Sequence, residues 1–387
     1  MARVIHTGDT HLGYQQYHAP QRRQDFLDAF DAVITDAIDE GVDAVVHAGD
    51  LYHDRQPGLR DILDTIALLR PLQDADIPFL AVVGNHEGTR DAQWLDLFET
   101  LGLAERLDDS PRVVADTAFY GLDYVPQSKR DDHDYTVADH DADHAALVSH
   151  GLFTPFPYAN WDLDAVLADA TVEFDAVLLG DNHTPDTAQL GDTWVTYCGS
   201  TERASASERD PRGYNIVSFS SDATTDVAIS RKSLNTREFV FVDADLGPTD
   251  GTAFIQERLR ERALDDAVVV VTITGDGDTV TPAEIERFGD DRGALLTRVN
   301  DRREFDTGDD APDVDVSFAD PDDAVEQRVR DLGLDEPARD VDRIVRDDTL
   351  ADAAVRERVI QRAEAVLDDD ADAADDDGRP TTVEEFQ

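Results

Sequence analysis

The chain is poor in several things, and each shortage excludes a class of protein. It has one cysteine, Cys198, so no internal disulfide can form. It has only two lysines, Lys129 and Lys232, so nearly all of its positive charge is arginine. Basic residues number 34 against 86 acidic ones, and the resulting net charge of −52 lies far beyond what solubility requires. No apolar run approaches the roughly 20 residues of a membrane span, and the first residues read directly as a strand without a signal-peptide pattern. A soluble cytoplasmic protein is therefore expected. An acidic, lysine-poor surface suits molar salt, where like-charge repulsion is screened over a few ångströms, so a halophilic source is inferred. The same charge would ordinarily argue against a nucleic-acid partner, because phosphate binding depends on Lys and Arg and weakens with salt. An arginine patch or a bound metal would still contact phosphates locally.

At 387 residues the chain exceeds a single domain of roughly 100 to 200 residues. Up to about Arg237, short apolar runs alternate with helical periodicity, which marks an α/β domain. Strands are predicted over 3–6, 43–47, 78–83, 145–149, 176–179 and 193–197. A helix is signalled by Phe26, Phe30, Val33, Ile34, Ala37 and Ile38 on one face. Two further helices are predicted over 60–73 and 91–101. Most of their stripe, made of Leu59, Ile62, Leu63, Ile66, Leu69, Leu95 and Phe98, is expected in the core. From 237 to 306 a smaller α+β unit follows, with strands over 239–242 and 268–274 and a helix over 252–263. Residues 307–370 read as a linker and two amphipathic helices, and 371–387 as an acidic tail too polar to order itself.

The chemistry lies in where particular side chains fall relative to the strands. Asp9 and His11 follow the first strand, Asp50 the second, Asn85 and His86 the third. His150 follows the fourth and Asp181 and His183 the fifth. Each cluster sits at the carboxyl end of its strand, where open α/β sheets bind ligands. Imidazole, carboxylate and amide oxygen together suit Mn²⁺ or a similar ion, and one shared carboxylate is able to bridge two ions about 3.5 to 4 Å apart. Any one of these motifs is weak by itself; five in order are hard to obtain by chance.

Together DTH, GDLYH, GNHE, SHG and the G-x-x-H at Gly180 to His183 resemble the calcineurin-like metallophosphoesterase superfamily. TGDTHLG, GDLYHDRQP and YCGSTER further resemble the double-strand-break repair nucleases, SbcD-type in bacteria and the meiotic-recombination-eleven type in archaea and eukaryotes. The resemblance implies a two-sheet α/β/β/α sandwich with a smaller cap (237–306), C-terminal helices, two Mn²⁺ ions and a homodimer. It also implies DNA as substrate and an SMC-like coiled-coil ATPase of the Rad-fifty type, docked on the helices of 307–370. One ion would take Asp9, His11, Asp50 and His183; the other would take Asp50, Asn85, His150 and Asp181, with Asp50 shared. His86 would stabilise the transition state or protonate the leaving oxygen, and His53 would support the site. The family pattern has histidine where this chain has Asp181, which adds negative charge on a shorter side chain. Activity would be 3′-to-5′ exonuclease and endonuclease on hairpins or single strands. Two competing readings stay open: a different metallophosphatase, and a DNA-tethering scaffold with a weakened nuclease site.

Other features are read more plainly. Arg22 and Arg23, placed just before the first long helix, are candidates for touching DNA phosphates. His133, His140 and His144, at irregular spacing among acidic residues, read as a solvated loop. Cys198 reads as a small buried hydrophobe. The helices over 60–73 and 91–101 would form the dimer contact by resemblance.

Overall fold

The computed structural model describes residues 1–303, apart from 90–91, 222–225 and 278–279. The chain divides into two units, Met1–Glu304 and Phe305–Gln387, and the described residues belong to the first. The predicted ATPase-binding helices and acidic tail lie outside the described residues. Among the described residues no helix is long and apolar enough to cross a membrane.

Two six-stranded sheets form the body of the unit. In the first, β1 (Ala2–Thr7), β2 (Ala44–His47), β3 (Phe79–Ala81) and the short β4 (Glu105–Arg106) run parallel. In the second, β5 (Arg112–Val114) pairs antiparallel with β6 (Thr117–Leu122), and β6 runs parallel with β7 (His144–His150). Next come β8 (Ala176–Gly180), β9 (Asp186–Leu190) and β10 (Thr193–Tyr197), with β8 and β10 parallel and β9 closing that edge antiparallel. Returning to the first sheet, β11 (Gly213–Phe219) and β12 (Val227–Ser233) pair antiparallel along β1.

Side chains alternate across each strand, so one strand serves two cores. Val4, Val46, Val148 and Leu178 fill the space between the sheets. Their neighbours Ile5 and Val45 face the helices α1 (Pro20–Glu40), α2 (Leu59–Asp74) and α3 (Trp94–Thr100). Leu147 and Leu179 face α4 (Leu163–Asp169) on the far side. The result is the helix, sheet, sheet, helix layering expected from the sequence. Central parallel strands buried on both faces read as unbroken apolar runs, which is why they were predictable.

Residues 239–301 add a three-stranded parallel sheet of β13 (Phe239–Leu246), β14 (Val268–Gly275) and β15 (Leu296–Asp301). The helices α5 (Thr252–Arg260) and α6 (Pro282–Asp290) pack on it through Ile255, Leu259 and Ile285.

Two expectations are corrected. Pro20 opens α1, so Arg22 and Arg23 lie in its first turn rather than before it. His144 is not in a solvated loop: it is the buried first residue of β7, with Nδ1 3.5 Å from Asp175 and Nε2 3.1 Å from the Ser221 hydroxyl. The α2 and α3 stripe is mostly core, as expected: Leu69, Leu95 and Phe98 are buried and Ile62 and Ile66 pack against them, while Leu59 and Leu63 are 72% and 56% exposed. Cys198 is buried, as expected.

Candidate metal centre

Five loops at the carboxyl ends of β1, β2, β3, β7 and β8 converge on one point. Their backbones turn sharply there: Asp9, His11, Asp50 and Asp181 all have positive φ, of 49°, 43°, 57° and 90°. Such conformations are unfavourable for residues bearing a Cβ and cluster at functional sites. Close approach makes two glycines obligatory. A Cβ on Gly84 would lie 2.0 Å from Asp50 Oδ1, and one on Gly49, at φ 89°, would lie 2.6 Å from His150 Nδ1.

Asp50 occupies the centre. Its Oδ2 lies 3.5 Å from His150 Nε2 and 4.0 Å from the Nε2 atoms of both His11 and His86. Its Oδ1 accepts from the His86 amide at 3.0 Å. His11 Nε2 is 3.0 Å from His183 Nε2, and His150 Nε2 is 3.1 Å from Asn85 Oδ1 and 3.8 Å from Asp181 Oδ1. The Asp181 amide donates to both Asp9 carboxylate oxygens at 3.1 Å. His86 Nδ1 lies 2.9 Å from the His53 carbonyl, which leaves its Nε2 facing the centre. The His53 ring is stacked between Tyr14, at 3.8 Å, and His86, at 5.1 Å.

This donor set fits divalent cations. Ligand atoms of Asp9, His11 and His183 lie within 4.8 Å of one another, as do those of Asp9, Asp50 and His150, and those of His11, His53 and His86. The rings are oriented for coordination, since His150 Nδ1 is 2.8 Å from the Ala48 carbonyl and His183 Nδ1 is 2.7 Å from Glu208 Oε1. A histidine so tethered presents its other nitrogen to a metal. The electrostatics agree. Burial alone would raise the Asp50 carboxyl, but His150 beside it holds it below the ordinary carboxylate range. Burial disfavours charge on His183, yet Glu208 and Asp9 lift it to about 9. Burial likewise opposes charging His150, yet Asp50 and Asp181 raise it well above the usual histidine value. Carboxylates that draw protons onto these imidazoles form the field that would attract a cation, and binding would release those protons.

The sequence profile described as Calcineurin-like phosphoesterase matches residues 2–210. The DNA double-strand break repair protein Mre11 of the halophilic archaeon Haloferax volcanii is 62% identical over 96% of this chain and 84% of its own length. The proteins of that name from Methanosarcina acetivorans and Methanosarcina mazei are 43% and 41% identical over 94% and 93% of this chain. The chain spans 59% of the length of each of these two relatives. The chain belongs to the Mre11 family of calcineurin-like phosphoesterases. As a family member it is a hydrolase acting on phosphodiester bonds.

All nine residues singled out for metal binding or catalysis in this Mre11-family chain lie in the one cluster. The two arginines proposed for DNA do not. Arg22 is fully buried, with Nη1 2.5 Å from Asp25, Nε donating to Gln16 Oε1 and Nη2 to the Arg203 carbonyl. It has no surface to offer a phosphate, and its first reading is corrected. Arg23 is bound to Asp61 and about one-third exposed. Sequence reasoning also missed two supporting carboxylates. Glu87 stands beside His86 in GNHE and accepts from the amides of Tyr52 and Gly84 at 3.1 and 3.3 Å; burial pushes it up to about 7. Glu208 orients His183, and a lone acid among 86 gave no signal.

Proposed function

We propose that this chain is the Mn²⁺-dependent nuclease of a DNA double-strand-break repair complex. Its activity is 3′-to-5′ exonuclease together with endonuclease on hairpins and single strands. The observation that carries the reading is the placement of one carboxylate, Asp50, within 4.0 Å of three histidine nitrogens that arrive on separate loops. One ion would be held by Asp9, His11, Asp50 and His183, and the other by Asp50, Asn85, His150 and Asp181. Bound there, the ions supply Lewis-acid activation of water and of the phosphate, together with charge neutralisation. The protein's own residues do the rest. Asp50 fixes the spacing of the two halves. His86, held through Nδ1 by the His53 carbonyl, presents Nε2 to the leaving sugar oxygen. His53 keeps His86 in place by stacking.

Residues 237–306 serve as a cap for DNA recognition, and 307–370 dock on an SMC-like ATPase. The exposed Leu59 and Leu63 on α2, with Leu97 and Leu101 at 38% and 46% exposure, provide the apolar face for a homodimer. Sedimentation showing only monomer at micromolar protein in molar salt would remove that part of the reading. The protein works in the cytoplasm.

The decisive experiment is cleavage of end-labelled single- and double-stranded DNA in molar KCl with Mn²⁺, beside a His86→Ala control. Cutting lost in the control establishes both activity and site. Absence of cutting by the wild type with two ions bound would turn the reading toward a tether.

A further inference from the structure

On the side of the metal centre built by the second sheet, two firmly held loops each present one unpaired side chain to solvent. The first, residues 151–162, leaves β7 at His150. Phe153 stacks on Trp161 with centroids 4.5 Å apart. The Phe153 amide donates to the Tyr197 hydroxyl at 2.8 Å, and that hydroxyl donates to the Gly151 carbonyl at 2.7 Å. The Leu163 amide donates to the Thr154 hydroxyl at 3.0 Å. Tyr158 is held out from this framework, 92% exposed and at φ 64°. It makes no hydrogen bond or ring contact with another described residue.

The second is a short 3₁₀ turn, Gln127–Asp132, and carries Lys129, exposed and in no ion pair with a described carboxylate. The other lysine, Lys232, is held by Asp36 and Glu40 at 3.0 and 2.8 Å. Arg130, next to Lys129, ties the loops together. Its Nε donates to the Val125 carbonyl at 2.8 Å, and its Nη1 donates to the Asn160 carbonyl and side-chain oxygen at 2.9 and 2.8 Å. Its guanidinium lies 4.2 Å from the Trp161 ring centroid and interacts electrostatically with Asp181. Tyr124, beneath Arg130, has its ring 6.4 Å from that of His150. The paired loops therefore flank the metal centre.

We propose that Tyr158 and Lys129 hold a single-stranded stretch of the DNA substrate, Tyr158 stacking on an unpaired base and Lys129 meeting a phosphate. This rests on the nuclease reading and names residues that would grip the strand. Paired bases hide their faces within the duplex, whereas unpaired ones are free to stack on an exposed ring. The arrangement also answers the net charge of −52. At 1 M salt the screening length is about 3 Å, so ionic contacts to phosphate are largely lost. Stacking is not an ionic contact and persists there. An exposed aromatic on the loop that leaves β7 at His150 suits an acidic enzyme working in such salt.

The test measures KM and kcat of the full chain with Mn²⁺ in molar KCl, on a single-stranded and a blunt duplex oligonucleotide. Tyr158→Ala should raise the ratio of single-strand KM to duplex KM about tenfold, in line with the loss of one stacked base. Tyr158→Phe, which keeps the ring, should restore the ratio. Lys129→Ala should show a smaller effect that shrinks as KCl rises. A Mn²⁺ binding isotherm overlaying the wild type shows that the centre of each variant is intact. An unmoved ratio in Tyr158→Ala, or no rescue by Tyr158→Phe, overturns the inference while leaving the nuclease reading standing. Wild-type protein that hydrolyses bis(p-nitrophenyl) phosphate but cuts neither DNA overturns both.

Discussion

Glu208 holds His183 from behind: its Oε1 lies 2.7 Å from the ring Nδ1, on the side away from the metal centre. The other carboxylate oxygen accepts from the Ala204 amide at 3.0 Å and from Arg212 Nη1 at 3.2 Å. Arg212 in turn donates to the His183 carbonyl at 2.9 Å, so ring and backbone of one histidine are held by one ion pair. Removal of such a partner typically lowers metal affinity about 10- to 100-fold. Glu208→Ala should therefore weaken one of two Mn²⁺ binding events in a calorimetric titration. Glu208→Gln, whose amide oxygen still accepts, should fall between. Two undisturbed binding events in Glu208→Ala would show that His183 needs no such support.

Gly84 matters for what a side chain there would strike. Its Cβ would lie 2.0 Å from Asp50 Oδ1 and 2.4 Å from the Asp50 amide nitrogen. Gly84→Ala must displace the shared carboxylate or the loop carrying Asn85 and His86. A misplacement of about 1 Å costs on the order of 100-fold in rate. The expected result is at least that loss in kcat for DNA cleavage, with altered Mn²⁺ stoichiometry. Full activity in Gly84→Ala would mean the loop moves freely.

What the sequence made legible follows from burial and repetition. β1, β2, β3, β7, β8 and β10 sit inside the sheets, and their apolar runs announced them. β9 and β12 are largely exposed edge strands, with no such run to read. β6 is buried, but Gly121 interrupts its pattern. β15 and α6 carry half-exposed faces that resemble the surrounding acidic sequence. The metal centre was readable because unlike residue types recur after successive strands, a pattern that survives in one dimension. Supporting contacts do not survive in this way. Glu208 meets His183 only in the fold, and Arg22 looked like a surface residue because nothing local marks its buried partners.

Asp25 joins α1 to the start of the three-stranded sheet. It accepts from Arg22 Nη1 at 2.5 Å and from Arg237 Nε and Nη2 at 2.6 and 2.8 Å. Arg22 is fully buried and packs 5.0 Å from the Phe239 ring, and Arg237 is 15% exposed. Asp25→Ala would leave two guanidinium groups short of their carboxylate, one of them without water. Breaking a buried pair from one side costs about 3 to 5 kcal/mol. Urea unfolding at fixed KCl should show a loss of that order, and a loss below about 1 kcal/mol would mean that Glu202 takes over Arg22.

His6 supplies a test in pH. It lies fully buried in β1, where burial pushes its pKa down to about 3, while an unfolded chain would titrate it near 6.5. The folded protein thus holds His6 neutral where the unfolded chain binds a proton. The stability this contributes is complete above pH 6.5 and drains away as pH falls toward 3, at a slope approaching about 1.4 kcal/mol per pH unit. Glu87 works in the opposite sense, because a buried carboxyl raised to about 7 stabilises most below its ordinary value and loses that contribution as pH rises through 7. The two overlap between about pH 4.5 and 6.5, so the wild-type profile alone does not separate them. The difference between wild type and His6→Gln does, because Glu87 is common to both. Unfolding free energies measured at several pH values in that window should diverge upward with pH by one proton's worth of slope. Parallel profiles would mean that His6 takes up its proton without opening the fold.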